Sequence, residues 1–510
     1  MENKNKVTLI NMFAAVITVI VQMIISFWLS PFVVRKLGEE AYGFINLANN
    51  FVSYASLVSV AVNSMASRFI SVEYNSKKFE EAKSYFSTIF WANCVLYSII
   101  LFCSFVLIYH IESIVNISTS LIWQVKITFL LSFINMGTSL IGTVYTAAAF
   151  TTEKMHLNSV VQILSNITKG VLIFVLFSIF PAKIYLLSVA TLVSGGVMLV
   201  GNYILTKKLF PGFDTSIHRF KFVKLLNLVK SGYWILISNI SNLLLNGLDL
   251  LFSNLFISSV IMGRLSLSKQ IPLALSNALG VFSSIFSSSM TKKFTLYGNE
   301  SLIEETKSQQ KVLTIFFTIP FAGVIVYGFD FLHLWLSDTH FSFLQYLEIY
   351  ILMIIMLIDV VISTYMYSIH SIFIALDKVK VYSVVLLISS VISILLTFIF
   401  LKTTRLGVYA IAGTSTMVLG ITHGIVIPAR AAKLLKVSAW TFWKMEIKSW
   451  CTLFITCLIF IVMRNISYIS NWWTFVTNVV ISSLIGYISV FFITFSREER
   501  KILYKLMKNR

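Results

Sequence analysis

The chain is 510 residues long, 57% hydrophobic and 12% charged, against roughly 45–50% and about 25% in soluble domains. With six prolines and a mean hydropathy of +0.85, this composition excludes a disordered chain and an ordinary water-soluble fold. The net charge of +19 raises nucleic acid as a partner, a reading that the placement of the lysines and arginines removes below.

A helix needs about 20 apolar residues to cross the hydrocarbon core of a bilayer. On that measure the chain is an all-α polytopic membrane protein with about 14 transmembrane helices. In chain order the spans are expected at 7–31, 42–66, 84–109, 121–149, 157–180, 183–206, 233–257, 262–288, 312–335, 345–372, 380–401, 407–429, 450–470 and 472–495. The first apolar stretch, Val7 to Ser30, is too long for a signal-peptide core and lacks a small-residue cleavage site, so it reads as a retained span. Cys94, Cys103, Cys451 and Cys457 all lie in apolar runs. They have no metal spacing and imply no disulfide framework.

Charge sets the orientation. With the N-terminus in the cytoplasm, thirty of the 40 Lys and Arg fall in the two tails and the even-numbered loops, among them Lys77, Lys78, Lys207, Lys208, Lys292, Lys293, Lys433 and Lys444. Seven lie on or near the opposite side: Arg35, Lys36, Lys126, Lys183, Lys402, Arg405 and Arg464. Lys169, Arg264 and Lys269 lie inside spans. This asymmetry puts both termini in the cytoplasm. It also spreads the positive charge over short loops beside anionic lipid rather than in a groove, so nucleic acid is not the partner.

The expected organisation is an N-lobe of spans 1–6 over 1–206, a cytoplasmic amphipathic connector over 207–232, a C-lobe of spans 7–12 over 233–433, and spans 13–14 with a basic cytoplasmic tail over 434–510. In the connector, FKFVKLLNLVK sets Phe222, Leu225, Leu226 and Val229 on one helical face and Lys221 and Lys224 on the other. That pattern suits a helix lying in the membrane interface.

An offset of 220 residues lays the second span on the eighth without a gap, with Gly43 over Gly263 and Leu47 over Leu267. The second span carries a polar stripe: Asn46, Asn49, Ser53, Ser56, Asn63 and Ser67. Ser266, Lys269, Ser276, Ser283 and Ser287 occupy five of those six places in the eighth. Polar stripes in corresponding spans are expected where repeats pack around a shared cavity.

Other spans add stripes of their own. The fifth has Asn158, Gln162, Ser165 and Lys169, and the seventh has Asn239, Asn242, Asn246, Asp249 and Ser253. The tenth has Glu348, Asp359, Ser363 and His370, within about 60° of arc. Small polar residues also serve as packing contacts between membrane helices, but a face of Asn and Asp points to an aqueous cavity.

A cation at membrane depth costs roughly 2.5–3.5 kcal/mol, so it faces protein, water or ligand. Lys169 and Lys269 lie on their stripes. Arg264 is about 140° from the centre of its stripe, at the outer end of its span, and is expected to snorkel to the interface. Two readings of the lysines stay open: contact with an anionic ligand, or an internal ion pair with Asp249 or Asp359. The candidate substrate-binding residues are Lys169, Lys269, Asn49, Asn242, Asn246 and Gln162. The candidates for ion coupling are Asp249 and Asp359.

The chain has no GxxxxGK[ST] phosphate loop, no HExxH and no Cys/His cluster. No outer loop exceeds about 15 residues on this topology, too little for an extracellular catalytic domain. An enzyme is not expected, and no cofactor is implied.

The segment SPFVVRKLGEEAYGFINLA, Ser30 to Ala48, resembles the polysaccharide transporter branch of the superfamily of multidrug, oligosaccharidyl-lipid and polysaccharide exporters. The shared features are Pro31 after the first span, Arg35, Leu37 and Gly38 in the turn, and Tyr42-Gly43 opening the second span. MASRFISVEYNSKKFEEAKSYFSTIF, 65–90, is similar to that family's cytoplasmic connection. The second half departs, with Met262 in the place of Tyr42.

The resemblance implies two six-helix lobes around a central, often cationic cavity, plus two C-terminal helices. It also implies a flippase for undecaprenyl-diphosphate-linked oligosaccharide in the bacterial cytoplasmic membrane. Such a protein would work by alternating access and could be partnered by a polysaccharide polymerase and glycosyltransferases. The rivals are a cation-coupled multidrug exporter of the same superfamily and a non-transporting scaffold of a glycan assembly complex. The first six spans contain no embedded Asp or Glu but do contain Lys169, which favours an anionic cargo.

Overall fold

The structure, a computed structural model, describes residues 2–339, 341–466 and 468–501. Every regular element among them is helical, and the chain divides into two compact units, Met1–Leu267 and Ser268–Arg510. Thirteen helices among the described residues are long and apolar enough to cross a membrane. The remaining expected span, 262–288, falls on two helices introduced below. The protein is an all-α, multi-pass membrane protein.

Unit 1 comprises α1 (Glu2–Leu37), α2 (Glu39–Asn75), α3 (Phe79–Tyr109), the short α4 (Ile111–Ile114), α5 (Ile122–Thr151), α6 (Met155–Ile179), α7 (Ile184–Leu209), α8 (Phe222–Asn246), α9 (Asp249–Phe256) and α10 (Ser259–Ser268) up to Leu267. Gly38 makes the sharp joint between α1 and α2. Its φ of 86° lies in the left-handed region that glycine enters without a Cβ clash. Glu39 and Glu40 follow in the first turn of α2, where the helix dipole favours negative charge.

The helix α5 packs on α2, α3 and α7, while α6 packs on α1 and α7. The register of α1 and α6 is parallel, as two odd-numbered spans require. Asn11 Nδ2 donates to Glu153 O at 2.7 Å, Thr18 Oγ1 to Ser159 O at 3.5 Å, and Gly170 faces Ile25.

The expected connector does not form a helix of its own. Residues 222–230 are the opening turns of α8. Lys224, expected on the polar face, is buried, with its ammonium 2.6 Å from Glu81 Oε2 and donating to Glu81 O at 2.7 Å. Its neighbours Leu225, Leu228 and Val229 join the core of Phe86, Val144 and Phe210, while Phe222 and Leu226 are exposed. A carboxylate at the start of α3 therefore sets the facing of this helix, and periodicity alone does not register it.

Unit 2 comprises the last residue of α10, α11 (Gln270–Tyr297), α12 (Asn299–Trp335), α13 (Phe343–Ala375), α14 (Val379–Thr403), α15 (Val408–Ile421), a π turn (Thr422–Val426), α16 (Ile427–Leu435), α17 (Trp440–Ile466) and α18 (Trp472–Thr494). Its centre is α12, which touches α11, α13, α17 and α18. Gln310 ties three helices together, donating to Ser449 Oγ at 3.1 Å and accepting from Ser368 Oγ at 3.1 Å. Arg464 of α17 grips Asp330 of α12 through two bonds of 2.7 and 3.0 Å. The last two spans thus pack within unit 2. The division between units falls inside the expected eighth span, so the seventh span packs with spans 1–6.

Candidate functional site

Within unit 1, α2 and α8 run antiparallel, and two contacts fix their register. Gly232 lies so close to Ala61 that a Cβ there would overlap the Ala61 carbonyl. Near the other end, Asn50 Nδ2, at 3.1 Å, and Tyr54 Oη both donate to the carbonyl of Gly247. This register brings Asn49 and Ser53 of α2 level with Asn246 and Asn242 of α8.

Asn49, Ser53, Asn239, Asn242 and Asn246 are all exposed. The side-chain amides of Asn49 and Asn242 make no hydrogen bond among the described residues. Further along α2 the stripe turns into packing. Asn63 exchanges bonds of 3.0 and 2.9 Å with Asn93 of α3, the helix-to-helix contact that small polar groups make in membranes.

The seventh-span stripe does not continue as one helical face. The chain breaks at Gly247–Leu248, and Asp249 opens α9, buried, its Oδ1 accepting from Leu250 N at 2.9 Å. Ser253 is buried beyond it. At membrane depth, irregular backbone survives only where protein or a cavity satisfies it. Asn50 and Tyr54 do this for the Gly247 carbonyl.

The eighth span is interrupted too, although Lys269 itself keeps helical backbone angles. α10 ends at Ser268, Lys269 stands between helices, and α11 starts at Gln270. Pro272 has no N–H to give the Ser268 carbonyl, and its ring crowds that carbonyl. The repeat counterpart α2 runs unbroken past Asn49. On this stripe Ser266 is buried and Ser276 exposed, and the side chains of Ser283 and Ser287 lie outside the described residues.

Lys169 lies two residues past the middle of α6, level with Ile24 and Ile25 of α1 by the parallel register. It is half-buried and has no ion pair or hydrogen bond among the described residues. Gln162 is half-buried two turns earlier on the same helix. Ser165, between them on the stripe, donates to Ser194 O of α7 at 2.7 Å and so belongs to packing.

Arg264 does not reach for the interface. Its Nε and Nη2 donate to Glu39 Oε2 and Oε1 at 3.0 and 3.2 Å, and both side chains are mostly buried. Beside this pair the two glycines that the repeat equates meet. A Cβ on Gly43 would stand 3.0 Å from the Gly263 backbone, and one on Gly263 would overlap the Glu39 carbonyl.

In unit 2, Asp359 is half-buried on α13 and accepts from Ser363 Oγ at 3.4 Å; that hydroxyl lies 3.2 Å from His423 Nδ1 in the π turn. His370, of the same stripe, packs its ring against Tyr382 of α14, with the ring centroids 4.1 Å apart and the planes tilted by 42°.

The structure thus joins Asn49, Asn242 and Asn246 on one helix pair and sets Lys169 with Gln162 on another helix of unit 1. Lys269 and Asp359 belong to unit 2. Periodicity missed Tyr54, Asn50, Glu39 and His423. Each acts on a residue far away in sequence, which no pattern within one helix signals.

Residues 8–290, more than half of the chain, match the family described as "Polysaccharide biosynthesis protein". The chain belongs to that family. Another membrane protein, the uncharacterized EpsK of Bacillus subtilis (strain 168), is 23% identical over 496 residues, covering 97% of each chain. Among solved structures, the lipid II flippase MurJ in an inward closed conformation superposes with a TM-score of 0.70 at 15% identity, over 94% of this chain and 98% of that one. An inward-facing multidrug resistance MATE family transporter of the MOP superfamily gives 0.63 at 12% identity, over 84% and 99%. This member of the polysaccharide biosynthesis protein family therefore shares the fold of those two proteins.

Proposed function

We propose that the protein is a flippase that moves lipid-diphosphate-linked oligosaccharide repeat units from the cytoplasmic to the outer leaflet of the bacterial cytoplasmic membrane. It would do so by alternating access between an N-lobe and a C-lobe, with both termini cytoplasmic, and without catalysing a reaction. The observation that carries this reading is Lys169, a half-buried cation in a membrane helix with no protein counter-charge among the described residues. Of the two readings open from sequence, the internal ion pair finds no support at this lysine. An embedded cation of this kind points to an anionic ligand.

The other candidate residues suit the same cargo. Exposed amides on α2 and α8 supply donors and acceptors for sugar hydroxyls. Lys269, at a helix break, is the second candidate for the diphosphate, and helix breaks at depth are typical of transporter binding sites. An inside-negative potential favours outward movement of an anion by about 2.3 kcal/mol per charge per 100 mV. Asp359, bonded to Ser363 beside His423, is better placed than the buried Asp249 to take up a coupling ion. A polysaccharide polymerase and glycosyltransferases are the partners that such a step needs.

The test is surface polysaccharide in cells carrying Lys169→Ala or Lys269→Ala. Both substitutions are expected to abolish it at unchanged protein level. Normal export by both variants would sink the cationic-site reading. Raised drug resistance on overexpression would favour a drug exporter instead.

A further inference from the structure

Unit 2 carries a second basic feature that the transport reading does not use. A cavity of about 460 Å³ lies between the first half of α12, the start of α17 and the end of α18. Lys307 and Lys311 of α12 and Lys444 and Lys448 of α17 all line it. Four ammonium groups around one cavity repel each other unless something negative answers them.

The protein answers only part of this charge. Glu499 pairs with Lys311, and Lys448 donates to the Thr494 carbonyl at 3.0 Å, at the end of α18. Lys307 and Lys444 are exposed and have no ion pair or hydrogen bond among the described residues. A further polar group waits in the wall. Thr494 is 3% exposed and lines the cavity, and its buried Oγ1 has no hydrogen-bond partner among the described residues. Most of the remaining surface is apolar, and Trp440, 58% exposed, stands among the lining residues, in the manner of an interfacial aromatic.

Uncommitted lysines, an unused hydroxyl and apolar walls at the end of a membrane helix pair fit a ligand that is half anion and half hydrocarbon. We propose that this cavity binds the phosphate-bearing headgroup of an anionic phospholipid from the cytoplasmic leaflet. Lys307 and Lys444 take the phosphate as point charges, and the apolar wall takes the start of the acyl chains. Basic pockets between membrane helices on the cytoplasmic side bind such headgroups generally, and the positive-inside distribution puts these four lysines on that side. The site is separate from Lys169 and Lys269, and the proposal stands whatever the cargo is.

The test uses the full-length protein, purified and stripped of lipid, with bound lipid counted by native mass spectrometry. Phosphatidylglycerol, phosphatidylcholine and inorganic phosphate are titrated separately. Phosphatidylglycerol is expected to bind in preference to phosphatidylcholine. The double variant Lys307→Gln/Lys444→Gln should weaken that binding roughly thirtyfold, the loss of two lysine contacts. A control, Lys433→Gln/Lys436→Gln, removes two exposed lysines outside the cavity and should leave binding unchanged. Equal phosphatidylglycerol affinity in the double variant and the unmodified protein would overturn the site. Protection of the site by inorganic phosphate at the same concentration would overturn the lipid as its source.

Discussion

Glu39 and Arg264 form a two-bond ion pair, at 3.0 and 3.2 Å, where the starts of the second and eighth spans cross. Gly43 and Gly263 make the crossing close enough for the pair to form. Glu39→Gln leaves a mostly buried guanidinium without its counter-charge, a change expected to cost about 1–3 kcal/mol. Chemical denaturation in detergent measures it, and the exchange Glu39→Arg/Arg264→Glu should recover part of the loss. Gly263→Ala should destabilise as well, since its new methyl overlaps the Glu39 carbonyl. Wild-type stability in both Glu39→Gln and Gly263→Ala would show that the crossing does not hold this part of the fold.

The break at Lys269 follows from Pro272, so it can be repaired. Pro272→Ala returns an N–H to the Ser268 carbonyl, and an interior proline costs a helix about 3 kcal/mol relative to alanine. The variant should be made at normal level and resist unfolding at least as well as the unmodified protein. Its export of polysaccharide should fall, because closing the helix at residue 272 shifts Lys269 relative to the turns that follow it. Full export by Pro272→Ala would mean that the break is incidental.

At the C-terminal end, Glu499 pairs with Lys311. The Lys311 ammonium, with help from Ser496, pulls its carboxyl from an ordinary 4.5 down to about 2. A depressed carboxyl contributes stability above its unfolded value and loses it as the pH falls through the folded one. Docking of residues 496–501 onto α12 should therefore weaken between about pH 4.5 and 2, and be at full strength at neutral pH. Limited proteolysis of the tail across that range reads the effect. Glu499→Gln should make the tail equally open at every pH, and an unchanged pH profile in that variant would remove Glu499 from the contact.

Apolar run length carried most of the fold, because a bilayer imposes it on any chain that crosses it. The site was legible in part. Asn49, Asn242 and Asn246 stand exposed on paired helices, at the places where helical periodicity puts them on polar stripes. Asn63, equally periodic, is consumed by Asn93, thirty residues along, and no pattern within one helix reveals that. Arg264 gave the wrong expectation for the same reason, since its partner lies 225 residues away. Periodicity puts Lys224 on the polar face of the connector, but Glu81 draws it inward. The breaks at Gly247 and Pro272 were readable from residue type alone, yet a hydropathy window passes over a single glycine or proline.

The most direct measurement is translocation of a lipid-diphosphate-linked oligosaccharide by the purified protein in vesicles, comparing Lys169→Gln and Lys169→Arg with the unmodified chain. A cation that holds the diphosphate predicts a loss of at least about tenfold for glutamine, from one charged hydrogen bond, and retention of most activity for arginine. Equal rates for glutamine and lysine would contradict it.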